Sequence, residues 1–451
     1  MRGKRVTGDV IRRLPRQTGP AAWNVILGPQ PEPERLETDK MAEFVVIGAG
    51  FSGLSAARRL RQLHPHARIV VLEAGRVAAG ASGRNSGFMM DLPHTLTARD
   101  HIGTGDDPTL IALNRQAQAF GHAAVQAYDI APDFFDPAGK VIGAAGPKSQ
   151  AHNESYAAHL DGLGEPYEML DAAHMRELTG SDHYLSGLYT PGTVMLQPAG
   201  YIRGLAAGLQ REDVEIYENS PVLSFRKQGL SWRINTPKGS VEIGRVILSV
   251  NGHLESFGFA RNRLKQMVLF AAMTPELSPD ELTRLGGRPR WGITPAEPMG
   301  TTIRRIDAGQ GGQRIVTQTC AVLRPGLEAK PSDLNRATKV IQRKFDQRFP
   351  QLAGIDMEHV WAGQVCLSQN NVSVMQEVET GIYSGCVQNG LGTARGTLTG
   401  IGAAEMACGH VSDITDYFGN QAAPTPLAPR PFREIGANAA LRLREWGARA
   451  E

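Results

Sequence analysis

Three glycines near the start of the chain have the spacing of a dinucleotide-binding turn. They are Gly48, Gly50 and Gly53, in the sequence VVIGAGFSGLSAA. The first permits a tight turn, the second lets the backbone approach a diphosphate, and the third lets the next helix pack closely on the strand. An acid that binds a ribose hydroxyl is expected about 20 residues further on, where Glu73 stands. The pattern predicts NAD or FAD, and the acid disfavours NADP because of its 2′-phosphate.

A strand, a helix and a second strand are predicted around this turn. Residues 44–47 and 68–72 are short continuous apolar runs, and residues 54–63 have apolar side chains at helical spacing. Apolar runs of this kind are typical of parallel strands that are covered on both faces. The helix would direct unpaired N–H groups and a partial positive charge at the phosphates of the ligand.

Two further segments favour FAD over NAD. Residues 385–407, GCVQNGLGTARGTLTGIGAAEMA, read as a strand, a glycine loop and a helix of small residues. The start of that helix, at 391–395, would stabilise the negative charge of reduced flavin near N1 and O2. Residues 74–91 continue from Glu73 as a Gly- and Ser-rich stretch, in which Arg84 and Asn85 can reach phosphate or flavin edges.

These three segments resemble the D-amino-acid oxidase (DAO-type) family of FAD-dependent oxidoreductases, which includes glycine, sarcosine and γ-glutamylputrescine oxidases. The resemblance extends from about Trp23 to the 420s, and the wording of residues 83–94 and 190–206 is most similar to the γ-glutamylputrescine oxidase-like branch or the taurine dehydrogenase large subunit. It implies an α/β fold, with a glutathione-reductase-like FAD-binding domain and an α+β substrate domain on a large mixed or antiparallel sheet. The segments that we predict are an N-terminal extension (1–40), a discontinuous FAD-binding domain (41–95, 196–260 and 356–430), a substrate domain (96–195 and 261–355) and a C-terminal helical tail (431–451).

The resemblance also implies which residues bind FAD. Val222 would contact the adenine side, residues 251–252 would border the cofactor, and residues 81–89 would run along the diphosphate and flavin. The predicted FAD-binding residues are Gly48, Gly50, Phe51, Ser52, Gly53, Glu73, Ala74, Gly80, Ala81, Ser82, Arg84, Asn85, Ser86, Gly87, Phe88, Met89, Val222, Asn251, Gly252, Gly390, Leu391, Gly392, Thr393 and Ala394.

In this family an amine is thought to pass its α-hydrogen to flavin N5 as hydride, giving an imine that hydrolyses to a carbonyl and ammonia or a smaller amine. The cofactor performs the difficult step, so no catalytic triad is expected. An anionic end of the substrate would need a cation, for which Arg304 is preferred to Arg305 on a predicted strand; the alternative is a structural ion pair. Lys265 lies either beside the flavin or on a surface strand. His253 and His94 are candidate proton carriers or structural histidines.

Two residues before the C-terminal glycine loop have alternative roles. Trp361 either forms a wall of the site or packs in the core. Cys366 stands close to the point where some sarcosine oxidase relatives attach flavin covalently, but the aromatic residue and proline that follow the cysteine there are absent here. Non-covalent FAD and a buried inert thiol are therefore expected. The four cysteines are far apart with no CxxC pair, so neither a metal site nor a redox disulfide is predicted.

Composition excludes several classes of protein. The chain has 451 residues, 41% hydrophobic and 21% charged, with a net charge of +3 and no basic run interleaved with aromatics. Nucleic-acid binding is therefore not expected, and no apolar run reaches the roughly 18 residues of a membrane span. Residues 1–16 are predicted to be a solvated basic tail, with a peripheral membrane contact as the alternative. Residues 23–40 are predicted to be an irregular lead-in outside the core, and the expected compartment is the cytoplasm.

The leading hypothesis is a flavoenzyme that oxidises an amine or amino acid bearing an anionic group, with oxygen or an electron carrier as acceptor. The first alternative is a taurine dehydrogenase-like subunit that passes electrons to a carrier, with a small partner subunit. The others are a non-catalytic flavin-binding subunit and an NAD-dependent dehydrogenase.

Overall fold

The computed structural model describes residues 9–93, 106–229 and 231–451. Within these ranges the chain forms two large sheets, one three-stranded sheet and the helices that cover them. Strands and helices are numbered below in chain order.

The larger sheet carries the predicted dinucleotide-binding unit. Its order is β1-β11-β12-β13-β2-β3-β10, and β20, which also pairs with β19, joins β13. The central strands β13, β2 and β3 are parallel, with Val46 opposite both Ile247 and Val71. The strands are β1 (Asp9–Val10), β2 (Lys40–Ile47), β3 (Ile69–Leu72), β10 (Glu215–Tyr217), β11 (Ser224–Gln228), β12 (Ser231–Asn235), β13 (Ser240–Leu248), β19 (Val374–Glu379) and β20 (Ile382–Cys386).

The second large sheet is mixed and has the order β18-β14-β17-β16-β15-β6-β8-β7. All its neighbours are antiparallel except β15 and β6. Its strands are β6 (Lys140–Ala144), β7 (Glu168–Asp171), β8 (Ser186–Thr190), β14 (Leu264–Met273), β15 (Trp291–Pro295), β16 (Thr302–Ile306), β17 (Arg314–Leu323) and β18 (His359–Ser368). The small sheet consists of the strands β4 (Phe88–Met89), β5 (Phe135–Asp136) and β9 (Val194–Leu196).

Two helices matter most for the site. One begins at the glycine turn and the other follows the C-terminal glycine loop, and both are largely buried. The α-helices of the described ranges are α1 (Ala22–Val25), α2 (Phe51–Leu63), α3 (Asp107–Ala127), α4 (Pro147–Leu163), α5 (Ala172–Thr179), α6 (Pro198–Arg211), α7 (Pro279–Leu285), α8 (Pro331–Arg348), α9 (Ala394–Cys408), α10 (Asp413–Gly419) and α11 (Phe432–Gly447).

The arrangement confirms the predicted fold class, with a βαβ-based sheet and a second, mixed sheet. One part of the proposed segment division is wrong, because β18 falls within 356–430 yet pairs along its full length with β14 in the second sheet. The apolar pattern of β18 in the sequence does not reveal which of the two sheets this strand joins. The nine-stranded sheet resumes only at β19.

The prediction for the N-terminal region is also wrong in part. Trp23 is completely buried and Leu36 is 2% exposed, so the expected lead-in contributes to the core. The Trp23 indole donates to the Asn85 carbonyl at 2.9 Å, and the Gln197 side chain donates to the Trp23 carbonyl at 2.9 Å. A short segment rich in proline can therefore be buried when its few apolar side chains meet a neighbouring helix and loop.

Candidate cofactor site

The glycine turn between β2 and α2 has the geometry that a phosphate-binding loop requires. Gly48 has a φ of +102°, a left-handed conformation that favours glycine. A Cβ atom at Gly48 would also lie 2.6 Å from the Ser249 carbonyl oxygen, and one at Gly53 would overlap the Gly48 carbonyl oxygen. The turn thus brings the start of α2 directly onto the end of the sheet, where its N–H groups face the adjoining cleft.

The carboxylate of Glu73 lies at the end of β3, beside this turn. Its oxygens accept hydrogen bonds from the backbone N–H groups of Ala49 and Gly75, both at 2.9 Å. Burial raises the pKa of Glu73, and the two N–H donors offset part of that effect. The arrangement fixes an acceptor beside the phosphate turn, as ribose binding requires.

The second helix begins next to the first. Gly396, in the first turn of α9, lies so close to α2 that a Cβ there would be 3.3 Å from the Phe51 Cβ. The Ser52 hydroxyl donates to the Gly385 carbonyl at 2.8 Å, which links α2 to the end of β20. A Cβ at Gly400 would overlap the Ser52 carbonyl oxygen. The two helices therefore cross in backbone contact near their starts.

One continuous cleft contains both helix beginnings. Residues 48–52 line it together with Gly390, Gly392 and Gly396, and Glu73 lies on the same wall. Other predicted FAD-binding residues that line this cleft are Ala74, Gly80, Ala81, Ser82, Asn85, Val222, Asn251 and Gly252. The predicted residues outside its lining are Gly53, Arg84, Ser86, Gly87, Phe88, Met89, Leu391, Thr393 and Ala394. Gly53 instead packs helix on strand, as its position in the motif predicts.

Residues 81–89 connect the cleft to the second sheet. The Ser82 hydroxyl accepts from the Phe51 N–H at 3.1 Å, so it lies at the start of α2. The Asn85 side chain accepts from the Gly87 N–H at 2.8 Å and donates to the Ser82 carbonyl at 2.7 Å. Further along, the Thr393 hydroxyl donates to the Phe88 carbonyl at 2.7 Å. The segment is thereby fixed to both helix beginnings.

The prediction that Arg84 reaches phosphate or flavin is wrong. Its guanidinium is buried and donates to the backbone carbonyls of Ala79 (2.6 Å), Thr18 (3.2 Å), Gly19 (2.6 Å) and Ala362 (3.1 Å). Burial lowers the pKa of Arg84 to about 10. These carbonyls accept hydrogen bonds from four of its five N–H groups, so Arg84 ties the N-terminal segment to β18 and does not point at a ligand.

Comparison with known proteins agrees with this geometry. Residues 43–407 match the DAO family, described as FAD dependent oxidoreductase. The chain belongs to this family. It is 24% identical over 386 residues to the probable oxidoreductase OrdL of Rhizobium meliloti, covering 83% of this chain and 85% of the relative. It is also 24% identical over 383 residues to the gamma-glutamylputrescine oxidoreductase of Escherichia coli, and that match covers 83% of this chain and 85% of the relative.

Among solved structures, glycine oxidase from Geobacillus kaustophilus superposes with a TM-score of 0.67. Its sequence is 15% identical, and the match covers 83% of this chain and 96% of that one, so it supports the shared fold. This DAO-family chain is thus an FAD-dependent oxidoreductase, and FAD fits its cleft. The glycine-lined turn, the ribose acceptor Glu73 and the two helix beginnings together match a diphosphate, a ribose and a flavin in one extended ligand.

Arg304, the candidate for binding a substrate anion, does not face an open pocket. It is 1% exposed and donates to the carbonyls of Gly87 (3.2 Å) and Leu196 (2.6 Å), and to the Gln310 side chain (2.8 Å). Its guanidinium lies between the Trp23 and Phe88 rings, and burial lowers the pKa of Arg304 to about 9. The pocket position predicted for Arg304 is therefore wrong, whereas the anionic group on the substrate stays a prediction. Arg304 holds β16 to the small sheet.

The other catalytic candidates are placed differently. Lys265 is half-buried on β14 outside the cleft lining, which favours the surface-strand alternative. Burial and the charge of Arg444 on α11 lower the pKa of Lys265. His253 lines the cleft, and its Nε2 has no hydrogen-bond partner among the described residues. Burial, with the charge of Arg13, lowers the pKa of His253 to about 4. His94 lies outside the described residues.

Trp361 and Cys366 both lie on β18, and of the two only Cys366 lines the cleft. Trp361 is fully buried and donates to the Arg84 carbonyl at 3.1 Å, which favours the core-packing interpretation. Cys366 lines the cleft, and burial raises the pKa of its thiol well above the usual range. Within the described ranges, no group of three or more His, Cys, Asp or Glu is placed to hold a metal ion. The helices described above include none with the length and apolar character needed to cross a membrane.

Several cleft residues were not predicted from the sequence. Ala49, Ser249, Val250 and Gln388 stand beside predicted residues, so their motifs contained the signal. Gln364, Val365 and Leu327 come from the second sheet and its loops, where no motif marks them. The N-terminal residues Ile11, Arg13, Leu14, Pro15 and Gln17 also line the cleft, contrary to the expected solvated tail.

Proposed function

We propose that this protein oxidises an amine or amino acid at the carbon that carries the nitrogen. The observation that carries the proposal is the single cleft in which the beginnings of α2 and α9 meet, because that arrangement suits one FAD molecule. The amine class is supported by the relatives, one of which is named for gamma-glutamylputrescine and one for glycine.

When bound, FAD supplies a two-electron acceptor. The substrate gives up a hydride from carbon and a proton from nitrogen and becomes an imine. The imine then reacts with water to give a carbonyl compound and ammonia or a smaller amine. The chain supplies position and charge. The α2 start and Glu73 would hold the diphosphate and ribose, and the α9 start would stabilise negative charge on the reduced ring.

His253 is the candidate proton carrier that lines the cleft. Burial, with the charge of Arg13, lowers the pKa of His253 to about 4, so its imidazole is neutral near pH 7 and binds a proton only weakly at that pH. Its Nε2 atom is buried and has no hydrogen-bond partner among the described residues. We therefore favour the structural alternative for His253 and assign it no proton transfer.

The experiment is anaerobic reduction of the full-length, FAD-loaded protein, measured as the loss of the visible flavin absorption. Each amine is tested beside the alcohol of the same skeleton: alanine with lactate, glutamate with 2-hydroxyglutarate, and taurine with isethionate. Glycine, sarcosine, D-amino acids and γ-glutamylated amines complete the panel. Bleaching by amines alone is expected, and admission of air then reports whether oxygen is the acceptor. Bleaching by the alcohols alone, or by NADH alone, would overturn the proposal.

A further inference from the structure

A segment that precedes the family domain enters the cofactor cleft. The DAO match begins at residue 43. Five earlier residues, however, line the same cleft as the glycine turn: Ile11, Arg13, Leu14, Pro15 and Gln17. We call residues 11–17 the N-terminal strap. Its course is unexpected for a basic segment whose sequence contains no binding motif.

The strap is attached at both ends to different parts of the fold. At its beginning the Ile11 N–H donates to the Leu223 carbonyl at 2.8 Å, next to the pairing of β1 with β11 in the nine-stranded sheet. Towards its end the Gln364 side chain, on β18 of the second sheet, donates to the Arg16 carbonyl at 3.0 Å. The strap therefore runs from one sheet to the other along the cleft that separates them.

Between these ends the strap is held mainly by solvent-exposed contacts, such as the 3.4 Å hydrogen bond from the Arg12 N–H to the Ser256 carbonyl and the 3.6 Å ion pair of Arg16 with Glu328. Arg12, Arg13 and Leu14 are exposed, whereas Ile11 is buried at 8% exposure. A segment with few buried apolar contacts and solvent-exposed hydrogen bonds opens at low free energy. The strap can therefore open without unfolding either sheet, and a ligand that contacts it would hold it closed.

Arg13 carries an available charge in this cleft. Of the residues that the structure describes, two arginines line the cleft, and one of them, Arg76, is paired with Glu218 at 3.1 Å. Arg13 donates to the Pro325 carbonyl at 3.1 Å and has no acidic partner among the residues described. Arg84, which was expected to meet the phosphates, is occupied by backbone carbonyls. The diphosphate is the anionic group of oxidised FAD, and a guanidinium is suited to bind its oxygens.

We propose that the N-terminal strap closes over bound FAD and that Arg13 donates hydrogen bonds to its diphosphate. FAD then fixes the strap against both sheets, and FAD leaves only when the strap opens. This inference concerns the cofactor and holds whichever substrate the enzyme oxidises.

The first test compares FAD binding to full-length apoprotein carrying Arg13→Gln or Arg12→Gln. Arg12 is the matched control, because it is the adjacent, exposed arginine and does not line the cleft. Arg13→Gln should raise the Kd for FAD about tenfold, as expected for loss of one hydrogen bond to a charged group. It should also weaken the dependence of the Kd on salt, since a charge pair is removed. Arg13→Lys should retain part of the affinity.

The second test needs no variant. Trypsin cleaves after Arg13 and Arg16, and FAD should slow both cleavages at least tenfold without changing cleavage after Arg444, which is exposed on α11. Equal FAD affinity and salt dependence in Arg13→Gln and Arg12→Gln would refute the role of Arg13. If FAD leaves the rate of strap cleavage unchanged, closure of the strap over FAD is refuted. This second test uses the wild-type protein, so it holds even if Arg13→Gln does not fold.

Discussion

The contact between α2 and α9 can be tested by adding a single methyl group. In Gly400→Ala the new Cβ would overlap the Ser52 carbonyl oxygen and lie 2.8 Å from the Ser52 carbonyl carbon, and both atoms are backbone, so no side-chain rotation relieves the clash. Overpacking of this kind lowers the free energy of unfolding by about 1–3 kcal/mol. Alanine contributes about 1 kcal/mol of helix propensity in the opposite direction. We expect a net loss of about 0–2 kcal/mol.

To relieve this clash, Ser52 must move, and with it the first turn of α2, whose N–H groups face the cleft. We therefore expect the Kd for FAD to rise about tenfold in Gly400→Ala, measured by titration of folded apoprotein. Gly436→Ala in α11 is the matched control, because nothing lies within 4 Å of the added Cβ. It should stabilise the protein by about 0.5–1 kcal/mol and leave FAD binding unchanged. The contact between α2 and α9 would be refuted if Gly400→Ala and Gly436→Ala had the same free energy of unfolding in urea and the same Kd for FAD.

Four further predictions follow from individual residues. Glu73→Gln replaces the acceptor of two backbone N–H groups and should raise the Kd for FAD about tenfold; an unchanged Kd would remove Glu73 from the site. Arg304→Met should lower the free energy of unfolding by about 3 kcal/mol, whereas a substrate-binding role would raise KM and leave urea unfolding unchanged. His253 has a folded pKa of about 4, below its unfolded value, so the unfolded apoprotein binds more protons and stability falls as the pH drops from about 6.5 towards 4. His253→Asn should remove about 2 kcal/mol of that loss between pH 7 and pH 4.5, and identical pH dependence in variant and wild type would contradict the buried neutral imidazole. Because burial keeps the Cys366 thiol protonated, acid precipitation should release all the flavin into solution; flavin in the pellet would reveal a covalent bond.

The sequence was most informative where local rules determine structure. The run from Phe44 to Leu72 predicted strand, turn, helix and strand, because glycine spacing and apolar runs are local properties. The segment 385–407 likewise contains the end of β20, a glycine loop and α9, as its predicted strand, loop and helix require. The acid at Glu73 followed from the same local rule and lies beside the turn.

Long-range partners were beyond local rules. Arg84 and Arg304 were expected at the ligands because arginine suits phosphates and carboxylates, but each donates to carbonyls that are distant in sequence, such as Ala362 and Leu196. The membership of β18 in the second sheet and the course of the N-terminal strap are likewise decided by contacts across the chain. A buried arginine that donates mainly to backbone carbonyls has no sequence signature, because the carbonyls that accept its hydrogen bonds belong to residues of any type.

The most direct measurement is a crystal structure of the full-length protein with FAD. We expect one FAD molecule in the cleft, with its diphosphate at the start of α2 near Gly50, its ribose on Glu73 and its flavin ring at the start of α9. A cofactor bound elsewhere, or a flavin ring directed away from the start of α9, would contradict the proposed site.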